Sequence, residues 1–174
     1  MSAIDFELSR IRGIVFDVDG VLSPATVPLD ENGIPRRCAN LRDGYAMVLA
    51  VRAGLWLCVI SGGDTESVRR RFQNIGVQDI HLGSTDKMPL LRDWMARRGL
   101  GPEEVAYVGD DLPDVEPMRA VGLGVAPADA TTDALCAATY VTKAAGGYGV
   151  ARELIEEIMR DRGIWPSVSE SMGQ

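Results

Sequence analysis

The chain has 174 residues, 46% of them hydrophobic, and its 25 Asp and Glu outnumber its 18 Lys and Arg to give a net charge of −7. That length suits one domain, expected over residues 1–174, and the acidic balance argues against nucleic acid or an anionic membrane surface as partner. No apolar run reaches the roughly 20 residues that a bilayer span requires.

Residues 1–12 read as a lead-in with a helical turn, and Gly13–Phe16 as the first strand. Three prolines (Pro24, Pro28, Pro35) and the turn Asp30-Glu31-Asn32-Gly33 then mark residues 24–40 as a β-hairpin, with arms at 25–29 and 34–39. Such an arm leaves edges uncovered, and edges of this kind are often covered by another subunit. Beyond Asp43, the residues Tyr45, Val48, Leu49 and Arg52 fall at helical spacing up to Gly54. Leu55–Ile60 is a short buried strand ending in Ser61-Gly62-Gly63. A helix over 65–75, a strand over 80–82, a helix over 86–98 and a strand over 105–108 follow, the last ending in Gly109-Asp110-Asp111. Helix signals resume at Leu112-Pro113, then come a strand over 121–126, a short helix over 131–138, a strand over 140–142 and a helix over 148–162. The tail from Ile164 to Gln174 reads as irregular, and the proline-rich arm is too small to be a second domain. Strands that alternate with helices imply a Rossmann-like, doubly wound parallel α/β sheet, whose function gathers at the carboxyl ends of its strands.

Those ends carry a consistent chemistry. Asp17 and Asp19 follow the first strand, Ser61 and Gly62 the second, and Asp110 and Asp111 the fourth, while Lys87 opens the helix after the third. Asp17 and Asp19 are separated by Val18 alone, and a bend at Val18, which Gly20 permits, is expected to let the two carboxylates address one site. Four acids on one rim call for a hard divalent cation, and magnesium suits oxygen ligands together with a substrate phosphate. Ser61 and the backbone N–H groups after it can cradle phosphate oxygens, and Lys87 can balance their charge. One carboxylate can attack phosphorus while a second moves protons for the leaving group and for water.

The ordered set Asp17-Val-Asp19-Gly20, Ile60-Ser61-Gly62, Lys87 and Gly109-Asp110-Asp111 resembles the four motifs of the haloacid dehalogenase superfamily of phosphohydrolases, in its capless branch. Within it, Asn40-Leu-Arg-Asp-Gly-Tyr45, the run from Val105 to Leu112, and Gly146-Gly-Tyr-Gly149 with Arg152 are similar to the octulosonate 8-phosphate and nonulosonate 9-phosphate phosphatases. The resemblance implies Asp17 as nucleophile and Asp19 as general acid and base. It implies magnesium on Asp17, the Asp19 backbone carbonyl and Asp110, with Asp111 close by, and the phosphoryl group on Ser61, Gly62 and Lys87. It further implies a homotetramer in which the hairpin packs between subunits, and a sugar acid phosphate as substrate. Arg42 and Asp43, just past the hairpin, are candidates for the substrate pocket, Arg42 as a substrate or phosphate ligand. Three departures fall where substrate is selected: Ser23-Pro24-Ala25 in place of Thr-Asp-Gly, Gly63 in place of Arg or Glu, and Tyr148 in place of Arg.

Other readings attach to single residues. Asp114 reads as a helix first-turn aspartate, with metal binding as the alternative. Tyr148 and Arg152 read as helix start and surface, and Arg69 to Arg71 as a solvated face. Cys38, Cys58 and Cys136 are scattered and odd in number, and His81 is the one histidine, so zinc and disulfides are disfavoured and a reducing cytoplasm fits. The first residues lack the features of a signal peptide. Two rivals to a phosphatase share parts of the pattern: a receiver-type phosphoacceptor domain, and a regulatory subunit, for example beside a nucleotidyltransferase.

Overall fold

Short apolar runs punctuated by turns become strands β1 (Gly13–Phe16), β2 (Trp56–Ser61), β3 (Asp79–Leu82), β4 (Val105–Val108), β5 (Leu123–Ala126) and β6 (Tyr140–Val141). The stretches between them supply helices α1 (Leu41–Arg52), α2 (Glu66–Ile75), α3 (Lys87–Arg98), α4 (Leu112–Arg119), α5 (Thr132–Ala137) and α6 (Val150–Asp161). The structure, a computed structural model, describes residues 4–167; the start of the expected lead-in and residues 168–174 of the expected irregular tail lie outside the described residues. All six strands pair in parallel in the order β3-β2-β1-β4-β5-β6. Chain order reverses between β1 and β4, which opens a crevice beyond their carboxyl ends.

Alternation along each strand sorts the core into two layers. Ile14, Phe16, Leu57, Val59, Ala106 and Val108 face α1, α2 and α6. Val15, Cys58, Ile60, Val105 and Tyr107 face α3, α4 and α5. Both faces of β1 and β4 are buried, which is why these strands read as unbroken apolar runs. Trp94 of α3 is fully buried beneath Gly13, where any Cβ would collide with the indole. Its Nε1–H donates to Asp79 Oδ2 at 2.9 Å, and Arg97 and Arg98 pair with the same carboxylate at 3.2 and 2.7 Å. Among the described residues no helix is long and apolar enough to cross a membrane.

Boundaries moved where caps decide them. α1 begins at Leu41 because the Asn40 side chain accepts from the Arg42 and Asp43 N–H groups. β5 begins at Leu123 rather than Val121. The hairpin after β1 is reduced to a single antiparallel bridge, Leu29 to Pro35, next to a turn in which Asp30 Oδ1 accepts from Asn32 and Ile34 N–H at 2.9 Å each. Pro24, Pro28 and Pro35 carry no N–H, so a longer ladder lacks donors. The arm's exposed large apolar residues are Leu29 and Ile34.

Replacing Trp94 by Ala opens a large cavity and leaves Asp79 without its indole donor, so urea unfolding should register a loss of about 3–5 kcal/mol. A loss under ~1 kcal/mol would contradict this account of the layer that faces α3, α4 and α5.

Candidate active site

Asp17 is still held in the sheet, since its N–H donates to the Val108 carbonyl at 3.0 Å. The chain then turns around the Val18 carbonyl, which accepts from Val21, Leu22 and Ser23 at 3.2, 2.9 and 2.8 Å. Gly20 sits in the left-handed region (φ 79°), and a Cβ there would collide with the Asp110 carboxylate. The bend expected at Val18 therefore exists. It sends Asp17 inward, 6% exposed, and leaves the Asp19 side chain 42% exposed on the flank.

Around Asp17 the charges form a chain. Asp17 Oδ1 accepts from the Val18 N–H at 2.6 Å, and Oδ2 lies 3.1 Å from Lys87 Nζ. Lys87, buried in the first turn of α3, also donates to Asp114 Oδ1 at 2.7 Å, where the Tyr107 hydroxyl donates at 2.8 Å. Asp114 Oδ2 accepts from the Asp110 and Asp111 N–H groups at 3.3 and 3.4 Å. Asp17, Asp110 and Asp114 each place a carboxylate oxygen within 4.8 Å of the others.

Acids outnumber cations here, and the proton affinities reflect it. Burial, then the charge of Asp114, pushes Asp17 up to about 7, with Lys87 pulling the other way. Burial, then Asp114 and Asp111, pushes Asp110 to about 7 as well. Burial alone would lower Lys87, but Asp17 and Asp114 outweigh it and raise its proton affinity. A divalent cation would relieve this crowding, and an all-oxygen set suits a hard one.

A cavity of about 340 Å³ unites these groups, and seven of the eight residues expected from the motifs line it: Asp17, Asp19, Ser61, Gly62, Lys87, Asp110 and Asp111. Ser61 closes β2, and its Oγ accepts from the Gly63 N–H at 3.2 Å. Arg42 is not brought there. The Asn40 cap and the inward turn of Asp43 leave it exposed on the first turn of α1. Asp43 instead lines a neighbouring, largely apolar cavity and accepts from the Arg152 N–H at 2.7 Å, with burial pushing it to about 6. Tyr148 is exposed two residues before α6, and Arg152, half-buried within α6, packs over Trp165.

The acid beside Asp17 and Asp110 is Asp114 rather than Asp111. Asp111 caps α4, accepting from the Leu112 N–H at 2.7 Å, and one helical turn onward Asp114 points back into the cluster. The Asp111-x-x-Asp114 spacing is the sequence signal for this arrangement. Arg37 was also missed. It leaves the arm and grips Asp19 with two bonds, Nε to Oδ1 at 2.7 Å and Nη2 to Oδ2 at 2.8 Å. An arginine in an irregular segment carries no local signal of such a contact.

A buried, lysine-countered aspartate at the end of β1, facing a second acidic strand end across the switch point, is the frame of a phosphohydrolase. Residues 66–154 match the haloacid dehalogenase-like hydrolase family. The chain is 36% identical over 165 residues to the 3-deoxy-D-manno-octulosonate 8-phosphate phosphatase of Escherichia coli K12, covering 95% of this chain and 86% of that one. It superposes with a TM-score of 0.90 on a probable YrbI family phosphatase from Pseudomonas syringae, at 36% identity over 97% of this chain and 96% of that one. The octulosonate phosphatase of Moraxella catarrhalis, in a complex with magnesium, phosphate and KDO, gives a TM-score of 0.86 at 28% identity over 91% of each chain. The chain belongs to the haloacid dehalogenase-like hydrolases, and within them it is a phosphatase. The receiver-type reading falls with that assignment.

Replacing Lys87 by Met strands two buried carboxylates, which should cost about 3–5 kcal/mol of stability at pH 8. Asp17 binds its proton more tightly folded (about 7) than at the ordinary value of 3.8, so the folded state gains relative stability as pH falls through that window. Unfolding curves should therefore show a smaller Lys87→Met loss at pH 5.5 than at pH 8, and an equal loss would contradict this electrostatic account.

Proposed function

We propose that the protein is a magnesium-dependent phosphomonoesterase that hydrolyses a sugar acid phosphate of the octulosonate class through an aspartyl-phosphate. The observation that carries this reading is Asp17, buried at the cavity floor with one oxygen on Lys87 and Asp110 beside it. The substrate class rests on likeness to the Escherichia coli and Moraxella catarrhalis enzymes.

Asp17, Asp110 and the main-chain carbonyl of Asp19 would hold magnesium, with Asp111 on the rim. Asp114 already receives four donors from Lys87, Tyr107, Asp110 and Asp111, so it suits the anchoring of Lys87 better than direct ligation. Bound there, the ion would offset the negative charge that the phosphoryl group brings against the carboxylates. The Ser61 hydroxyl, the Gly62 N–H group and the Lys87 ammonium orient the non-bridging oxygens. An oxygen of Asp17 attacks phosphorus, the bond to the ester oxygen breaks, and Asp19 gives that oxygen a proton. Asp19 then takes a proton from water as the water oxygen attacks phosphorus, which releases phosphate and restores the Asp17 carboxylate.

The arm of residues 24–40, with Leu29 and Ile34 exposed, supports assembly of four copies through this segment. Three free cysteines fit a reducing cytoplasm.

Asp17→Asn should abolish phosphate release with the circular dichroism spectrum unchanged, and EDTA should stop the native enzyme until magnesium is added. Substantial turnover by the variant would overturn the reading. A hydrolysis screen over octulosonate, nonulosonate and simple sugar phosphates should rank the octulosonate ester first. Light scattering should give four times the chain mass, falling to a smaller species when Leu29 and Ile34 are both changed to Asp; a native monomer would refute the assembly.

A further inference from the structure

Arg37 lines the neighbouring apolar cavity and reaches the active site through Asp19, and the phosphoryl chemistry does not use it. Its side chain is 10% exposed although it comes from an irregular arm, and its fork is matched to the two oxygens of Asp19. Nη1 lies 3.5 Å from Thr65 Oγ1, at the start of α2, so the guanidinium is fixed on a second side. On the remaining side stands Gly63. A Cβ built on Gly63 would fall on Arg37 Nη2, 2.8 Å from Cζ and 3.3 Å from Asp19 Oδ2. Gly63 is not among the residues with positive φ, so its backbone does not demand glycine. A side chain there would require the Arg37 fork to move.

We propose that Arg37 is a positioning residue for Asp19, and that position 63 is glycine because the guanidinium occupies the place where a side chain would begin. The proposal rests on the reading of Asp19 as proton donor and acceptor. The Asp19 side chain is 42% exposed on an otherwise buried turn, where an unrestrained aspartate would sample several rotamers. Two parallel bonds from a planar fork fix the plane of the carboxylate as well as its position, which a lysine ammonium at the same place would not do. Each carboxylate oxygen has a second acceptor site, so the fork leaves Asp19 free to exchange a proton with the ester oxygen or with water. Holding a proton donor in line with its acceptor is a direct gain in rate.

The test compares two esters that share the phosphoryl group: the best alkyl phosphate from the screen above, whose leaving oxygen needs a proton, and p-nitrophenyl phosphate, whose leaving oxygen does not. The ratio kcat/KM covers only the steps up to the aspartyl-phosphate. Arg37→Ala should lower kcat/KM for the alkyl ester about 10-fold or more, a part of the ~10²–10⁴-fold that general acid catalysis supplies, and change it less than about 3-fold for p-nitrophenyl phosphate. Asp19→Asn, run alongside, should show the same selectivity more strongly. If Asp19→Asn is unselective, the reading of Asp19 fails; if it is selective and Arg37→Ala is not, the role of Arg37 alone fails. Gly63→Ala should reproduce the Arg37→Ala signature in the native chain and add nothing in the Arg37→Ala background. Additive losses, or an Arg37→Ala effect confined to KM and equal for both esters, would overturn the proposal.

Discussion

Everything in this protein is arranged around an excess of carboxylate at the meeting point of β1 and β4. Asp17, Asp110 and Asp114 converge within 4.8 Å, with Asp19 and Asp111 on the rim and one buried ammonium, Lys87, among them. Such a cluster is costly to bury, and its proton affinities rise accordingly. The parallel sheet makes it tolerable. Backbone pairing at the strand end fixes Asp17, and the cation arrives on a helix whose apolar residues Met88, Leu91 and Trp94 are committed to the core. Carboxylates that raise one another's proton affinities in this way are prepared for a ligand of opposite charge.

Much of this was legible in the residues. The strand ends could be placed because parallel strands, buried on both faces, announce themselves as apolar runs stopped by small or acidic residues, as at Phe16-Asp17, Ile60-Ser61-Gly62 and Val108-Gly109-Asp110. Once the strand ends are known, the doubly wound topology brings Asp17, Ser61, Lys87 and Asp110 together without further information. Helix starts were less legible, since Asn40 captures two N–H groups and pulls α1 back past Asp43. Arg42 does not line this cavity for the same reason: its orientation follows from the cap, which shifts which residues of the first turn face inward.

What escaped the sequence depends on contacts between segments far apart in the chain or lacking periodicity. Asp114 could be seen as a helix-start acid, but its service to Lys87 and Tyr107 is a tertiary fact. Arg37 sits in a stretch where prolines suppress regular pairing, so no spacing rule says which way its side chain points. The exchange of space between Arg37 and Gly63 is similarly invisible until the two segments are seen side by side. The three departures from the octulosonate phosphatase pattern begin to separate here. Ser23 is buried, with its hydroxyl accepting from the Cys38 N–H at 3.1 Å, so it braces the arm, whereas Gly63 makes room for the arginine the arm delivers.

The loop that carries Asp19 is also clasped from the far end of the chain. The Gly147 N–H donates to the Val21 carbonyl at 2.8 Å, Asn40 Nδ2 donates to the Gly147 carbonyl at 3.1 Å, and Asp43 receives the Arg152 N–H. During synthesis, a nascent chain that has emerged as far as Asp114 holds every acid of the cavity and all of β1, β2, β3 and β4, yet none of this clasp. The backbone support of the Asp19 loop is thus completed only by a segment made after every one of those acids.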